Sequence, residues 1–340
     1  MSTLSPHPRV GIVGATGAVG GELLLCLEQR NFPLASLRLF ASPRSAGRSL
    51  LFRHAPVPVE VLTEQALAGL DIVLFSAGSA TSRQFAPVAV AQGAVVIDNS
   101  SAFRMDADVP LVVPEVNPEA IATHRGIIAN PNCVAIVATV PLWPLHRRNP
   151  IQRVIAATYQ AASGAGAAAM EELRESTVAY LAGREYAARV LAHPYAFNLF
   201  SHDTKVDPAT GYNDEETKVM REMRKIMGQA NLRIGVTCIR VPILRAHSIA
   251  LTVEFADQVT PEEVRDVLAS APGVRLVDDV AHNHFPMPRE ASGQDDILVG
   301  RIRRDVSDPS GRSIALFVAG DQLLKGAALN AVQIAEKLVG

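Results

Sequence analysis

The chain is poor in the residues that build metal and disulfide frameworks. Only three cysteines occur in 340 residues (Cys26, Cys133 and Cys238), far apart and with no CxxC pair. That odd, scattered set excludes a disulfide scaffold and a cysteine-type zinc site, and free thiols fit a reducing cytoplasm. His282-Asn-His284 lacks further ligands nearby, so no metal is expected. No block of Lys or Arg occurs and the net charge is −2. Neither nucleic acid nor an anionic membrane is therefore an expected partner. Long hydrophobic runs are missing too. The longest, Cys133–Leu145, is too short to span a bilayer and contains Pro141 and Pro144. The opening MSTLSPHPRV has no signal-peptide core. Internal repeats and low-complexity linkers are also absent.

What is present suits a two-domain enzyme: 340 residues exceed what one core usually organises, and 48% of them are hydrophobic. The first part alternates strand-like and helix-like segments. Strands are expected at Arg9–Val13, Leu37–Ala41, Val57–Leu62, Asp71–Ser76, Ala94–Asp98 and Ile127–Ala129. Helices are expected at Gly20–Arg30 and around Phe85–Gln92. That alternation predicts an α/β fold, a Rossmann-type doubly wound, mostly parallel sheet. After Cys133 come long β-branched runs at Ile151–Gln160, Arg233–Arg240, Ser248–Ala256, Ile297–Arg304 and Ser313–Val318. They imply an antiparallel or mixed sheet in an α+β domain, with helices at Met170–Leu181 and Asp214–Met227. Residues 183–211 carry no period and are expected to form a functional or interface loop. The tail Leu323–Leu338 has the apolar stripe of an amphipathic helix.

Gly14, Gly17 and Gly20 form GxxGxxG after the first strand and at the start of a helix. Glycine there lets the chain turn tightly and a pyrophosphate approach the helix N-terminus. The cradle is expected to be Gly14, Ala15, Thr16, Gly17, Ala18 and Val19. NAD sites usually place an acid roughly 20 residues further on, for the ribose 2′-OH. Here the stretch is Ala41-Ser-Pro-Arg-Ser-Ala-Gly47, with no acid. Ser42, Arg44 and Ser45 fit a 2′-phosphate, so NADP is the expected cofactor; the alternative is a polar surface loop.

Cys26 falls in a helix stripe and Cys238 inside a strand, as core cysteines do. Cys133 differs. Asn130-Pro131-Asn132 breaks a strand, and Cys133 begins the next helical run, where a helix dipole favours a thiolate. It is either a small core residue or a nucleophile. A thiol beside a nicotinamide suggests aldehyde oxidation through a thioester. His247 is then the leading acid/base, and an arginine in Arg240–His247 is a candidate clamp for a carboxylate. The alternative is a strand-end histidine and solvated arginines.

Together, Asn130-Pro-Asn-Cys133, Thr158-Tyr-Gln-Ala-Ala-Ser-Gly-Ala-Gly166 and Arg240-x₆-His247 resemble aspartate-β-semialdehyde dehydrogenase. Ser100-Ser-Ala-Phe-Arg104-Met, Val113-Pro-Glu-Val-Asn117 and Gly320-Asp-x-x-x-Lys325-Gly-Ala-Ala extend the likeness over nearly the whole chain. The resemblance implies an NADP-binding Rossmann domain at 1–132, joined by the C-terminal helix 320–340, and a catalytic and dimerisation domain at 133–319. It implies that Cys133 is the acyl-thioester nucleophile, His247 the acid/base and Gln160 an orienting residue. Arg240 would bind the substrate α-carboxylate and Glu215 its ammonium group. Arg104, Asn132 and Lys218 would hold phosphate, and Ser163, Gly164 and Gln322 would lie near the nicotinamide. Gln322 and Val134 depart from many relatives, which carry Asn and Ser or Thr there.

The implied reaction is reversible: aspartate 4-semialdehyde, phosphate and NADP⁺ give aspartyl 4-phosphate and NADPH. In the biosynthetic direction it feeds lysine (through diaminopimelate), threonine and methionine. A cytoplasmic homodimer is expected. Two alternatives stand beside it, N-acetylglutamyl-phosphate reductase and a non-catalytic paralogue of the same fold.

Overall fold

A computed structural model describes residues 4–340. The chain divides into two compact units, one running to Asn132 and including Ala327–Gly340, the other Cys133–Gly326.

In the first unit the strands are β1 (Arg9–Val13), β2 (Ser36–Ala41), β3 (Ser49–Phe52), β4 (Ala55–Val61), β5 (Ile72–Phe75), β6 (Val95–Asp98) and β7 (Ile127–Ala129). Every expected strand is there, with ends within two residues. The sheet order is β3-β4-β2-β1-β5-β6-β7, and all neighbours are parallel except β3 with β4. β5 and β6 are buried at every position, as strands covered on both faces are. The chain winds outward from β1 to β2, then returns to β5 on the other side of β1. The carboxyl ends of β1 and β5 thus flank the topological switch point, where open α/β sheets bind ligands. Helix α1 (Ala18–Gln29) follows β1, and α2 (Ser79–Ala91) lies between β5 and β6.

The hairpin β3–β4 was not foreshadowed by the pattern. Its turn uses Arg53 and His54 at φ 47° and 64°, a left-handed pair that usually needs Asn-Gly. The tail also differs from a single continuous helix. Leu324–Ala328 forms a π-helical turn, and a regular helix covers only Leu329–Val339.

The second unit opens with α3 (Cys133–Arg148), which runs through both Pro141 and Pro144. Next come β8 (Ile151–Gln160), α4 (Ala167–Leu181), β9 (Phe200–Ser201), α5 (Asp214–Ile226), β10 (Arg233–Arg240) and β11 (His247–Phe255). The unit ends with α6 (Pro261–Ala269), β12 (Val274–Leu276), α7 (Pro288–Ala291), β13 (Ile297–Arg304) and β14 (Ser313–Gly320). The sheet is mixed, in the order β12-β13-β14-β11-β8-β10-β9. From Val154 to Gln160 the strand β8 alternates buried and more exposed residues, so one face is covered and the other open. Helix α5 starts at a capping box, with Asn213 and Glu216 satisfying each other's backbone N–H groups. No helix among the described residues is long and apolar enough to cross a membrane.

Candidate active site

Register across the second sheet assembles the chemistry. Arg240 pairs with Gln160 across β10 and β8, and with Phe200 across β10 and β9. Ser248 pairs with Tyr159, so one step on His247 stands opposite Gln160, and His247 pairs in turn with Gly320. Partners in register share a face. Gly320, His247, Gln160, Arg240 and Phe200 therefore form one row across the covered face. Helix α3 lies on that same face: a Cβ on Gly320 would sit 3.1 Å from the Val137 side chain. Its first residue, Cys133, is partly exposed. The bare backbone of Gly326 backs onto it, since a Cβ there would come 3.0 Å from the Cys133 Cβ.

His247 is wholly buried. Its Nδ1 accepts the Ala161 N–H at 3.0 Å, while its Nε2 has no partner among the described residues. An Nδ1 lone pair held by an N–H puts the ring proton on Nε2. Burial, reinforced by the charge of Arg240, keeps the imidazolium well below its ordinary pKa. The ring is thus a neutral donor through Nε2. Gly164 packs against it, since an added Cβ would lie 2.9 Å from the ring Cε1.

Gln160 accepts from Thr158 Oγ1 at 3.0 Å and donates to Glu215 Oε1 at 3.3 Å. Arg240 is 5% exposed, donates weakly to Asp203 through Nε (3.3 Å) and reaches the Ala161 carbonyl at 3.5 Å. Lys218 lies three residues after Glu215 on α5. The charges of Arg240, Glu215, Asp203 and Lys218 all act on buried His202, whose pKa falls, first through burial. Arg240, Glu215 and Lys218 therefore all lie near His202 in the second unit.

Gln322 is 2% exposed; its Oε1 accepts from Ala246 N at 2.9 Å and its Nε2 donates to Ser163 Oγ. It braces the Ser163 turn (residues Ala162–Ala165) against the start of β11. Cys26 and Cys238 are core thiols, and burial pushes Cys238 strongly up. His282 and His284 pair with Asp279 and Glu290 respectively, and no metal-binding cluster occurs among the described residues.

In the first unit, the glycine turn is tight for a stated reason. Gly14 has φ 86°, and a Cβ there would lie 2.3 Å from the Ser76 carbonyl oxygen; a Cβ on Gly20 would strike the Gly14 oxygen at 2.3 Å. A cavity of about 400 Å³ opens beside this turn. Gly14, Thr16, Gly17, Ser42, Arg44 and Ser45 line it, together with Ser76, Ala77, Thr81 and Phe85, which sequence reasoning missed. Exposed Arg44 has no ion-pair partner among the described residues. The cavity, its glycine floor and that open guanidinium fit a dinucleotide phosphate ester. Ala15 is buried, and Ala18 and Val19 open α1 behind the turn. Arg104, also in this unit, is 8% exposed and donates to the carbonyls of Asn130 (2.9 Å) and Asn99 (2.7 Å). Asn132 is 6% exposed, at the end of the same unit.

Residues 9–124 match the family model for the semialdehyde dehydrogenase NAD binding domain, and residues 142–325 that for the semialdehyde dehydrogenase dimerisation domain. The chain is 54% identical over 335 residues to aspartate-semialdehyde dehydrogenase of Synechocystis sp., covering 98% of each chain. Against the Bacillus subtilis enzyme of that name the identity is 44% over 338 residues, covering 97% of each. Aspartate semialdehyde dehydrogenase II of Vibrio cholerae, solved complexed with ASA, superposes with a TM-score of 0.94 at 42% identity, covering 98% of each chain.

Proposed function

Because the chain belongs to the aspartate-semialdehyde dehydrogenase family, we propose that it reduces L-aspartyl 4-phosphate to L-aspartate 4-semialdehyde, reversibly, with NADPH. The observation that carries the proposal is the single sheet row of His247, Gln160 and Arg240 beneath the helix that begins at Cys133.

The Cys133 sulfur attacks the acyl carbon and expels phosphate, leaving a thioester. A thiolate suits the first residue of α3, where the helix dipole is positive. When bound, the nicotinamide cofactor supplies the hydride that reduces this carbon. The resulting tetrahedral alkoxide then collapses, breaking the C–S bond, releasing the aldehyde and returning the thiolate. The Nε2–H of His247 donates to the oxygen that carries negative charge in both steps. Arg240 takes the substrate α-carboxylate and Glu215 its ammonium group, so a zwitterion is fixed at both ends. Gln160, held by Thr158 and Glu215, orients the acyl group. Arg104, Asn132 and Lys218 are the proposed phosphate ligands.

NADP is favoured over NAD by Arg44 with Ser42 and Ser45 at the cavity mouth and by the missing acid after β2. Gly14 to Val19 form the pyrophosphate cradle. Ser163 and Gly164 are assigned to the nicotinamide end, with Gln322 as their brace. A second copy of the chain is proposed to cover the open sheet face, where Ile155 is 43% exposed and Glu254 is ringed by Arg153, Arg233 and Arg312 at 3.9, 3.5 and 3.7 Å.

The test supplies purified protein with aspartate semialdehyde, phosphate and NADP⁺ and follows NADPH absorbance. Phosphate-dependent turnover, absent in Cys133→Ala, is expected. Equal turnover in that variant, or none in the wild type, refutes the proposal. Preference for N-acetylglutamate semialdehyde would transfer the chain to the reductase alternative.

A further inference from the structure

Two buried donors in the second unit are underused, and they lie together. Arg240 is 5% exposed, yet its guanidinium has only the 3.3 Å contact to Asp203 and the 3.5 Å contact to the Ala161 carbonyl; Nη2 has no partner among the described residues. Tyr195 is 1% exposed, and its hydroxyl has no hydrogen-bond partner among the described residues. A buried hydroxyl without a partner is costly. The Tyr195 ring packs edge-on against Phe200, at 5.5 Å between centroids, and Phe200 is the register partner of Arg240. The charges of Arg240 and Asp203 both act on the Tyr195 hydroxyl. An unpartnered buried hydroxyl in the neighbourhood of a sparsely bonded guanidinium suits an anion.

Asp203 approaches Arg240 from its Nε edge. That contact lies on the Nε/Nη2 edge of the guanidinium and leaves its terminal Nη1/Nη2 edge for a ligand. Asp203 is itself set by β9, because the preceding residue, His202, donates its N–H to the Cys238 carbonyl at 2.9 Å. His202 stays neutral through burial, so the Asp203 charge is not drawn away from Arg240. The segment carrying Tyr195 is anchored as well: the buried Glu172 carboxylate accepts the N–H groups of Arg189, Val190 and Leu191 at 2.6, 2.8 and 3.0 Å.

We infer that Tyr195 and Asp203 complete the carboxylate end of the substrate site: the Tyr195 hydroxyl donates a second hydrogen bond to the carboxylate that Arg240 holds, and Asp203 is the positioning residue that aligns Arg240. The inference rests on the proposed substrate. It extends specificity beyond a charge pair, to a carboxylate held by a planar fork and a hydroxyl.

Three aldehydes separate the roles: aspartate 4-semialdehyde; succinate semialdehyde, which lacks its amino group; and 3-aminopropanal, which lacks its carboxylate. In Tyr195→Phe and Asp203→Asn, kcat/KM for the two carboxylate-bearing aldehydes is expected to fall about 10-fold, mainly through KM. Turnover of 3-aminopropanal is expected to stay within about 2-fold, and Asp203→Glu should recover part of the loss. Tyr195→Phe should leave the melting temperature unchanged or higher, since the lost hydroxyl has no partner among the described residues. An equal loss on all three aldehydes, or no loss on the carboxylate-bearing pair, overturns the inference while the proposed function stands. A wild type inert toward aspartate semialdehyde overturns both.

Discussion

Gly164→Ala should disable the site while leaving the fold largely intact. The added methyl carbon would stand 2.9 Å from His247 Cε1, 3.0 Å from Nε2 and 3.3 Å from Arg240 Nη1. Favourable carbon contacts lie at roughly 3.5–4.0 Å, so about 0.6 Å of displacement is required. The backbone of Gly164 is not in the left-handed region, so the alanine itself adds no φ strain. The ring cannot yield freely, because it is wholly buried and pinned at Nδ1 by the Ala161 N–H.

Misplacing a catalytic group by about 1 Å can cost about 100-fold. A shift near half that distance should lower kcat by about 10-fold or more, some 1.4 kcal/mol or more of barrier. The stability loss from overpacking, about 1–3 kcal/mol, is offset in part by about 0.4–1 kcal/mol from stiffening the unfolded chain. Steady-state kinetics in both directions, with thermal unfolding beside them, check the balance. Because Gly164 is also assigned to the nicotinamide end, kcat at saturating cofactor is the quantity that reports on His247. A kcat within 2-fold of wild type would show that Nε2 placement does not limit the reaction, and the role given to His247 would fail.

Arg44→Glu should raise the KM for NADP at least 10-fold and leave that for NAD little changed, which parallel kinetics with the two cofactors measure. Gly20→Ala drives a Cβ to 2.3 Å from the Gly14 carbonyl oxygen and should destabilise by more than about 2 kcal/mol, whereas Gly21→Ala, with open space around it, should stabilise by about 0.5–1 kcal/mol; denaturant melts distinguish them. His247 and His202 are held neutral in the folded chain by burial, so their pKa values lie below those of the unfolded chain. Their contribution is complete above pH ~6.5 and is lost as pH falls below it, where the unfolded chain alone takes up the protons. Each adds at most about 1.4 kcal/mol per pH unit to the slope, so the urea midpoint should drop between pH 7.5 and 5.5; a flat profile there contradicts their neutral burial.

The first unit was legible because its strands are short apolar blocks spaced by glycine turns. The parts that escaped notice were those with weak local signals. The β3–β4 hairpin turns on Arg53-His54 rather than on glycine, and β12 has only three residues, Val274–Leu276. The helix α6 was legible in principle, since Thr260 and Glu263 form a capping box behind a proline at the helix start. Tyr195, His202 and Asp203 lie in the aperiodic stretch 183–211, and their placement comes from a two-residue strand, Phe200–Ser201, that no period betrays. Ser76, Ala77 and Thr81 joined the dinucleotide cavity through sheet order, which places β5 beside β1.

Residues so far apart in sequence meet because register, not proximity along the chain, fixes them. Gln160 ends β8, Arg240 ends β10 and His247 begins β11, and the antiparallel sense of β11 brings its first residue level with the last of β8. A slip of one residue would turn each of these side chains to the opposite face. The same row explains two glycines. Gly320 occupies the row position where α3 crosses, and a Cβ there would press on Val137 at 3.1 Å. Gly326 clears the space at the other contact, against the Cys133 Cβ. The placement of Cys133, the proposed nucleophile, is therefore set by two missing side chains as much as by its own helix, and a methyl at Gly326 should press both on Cys133 and on Gln322, whose Cβ it would approach to 3.1 Å.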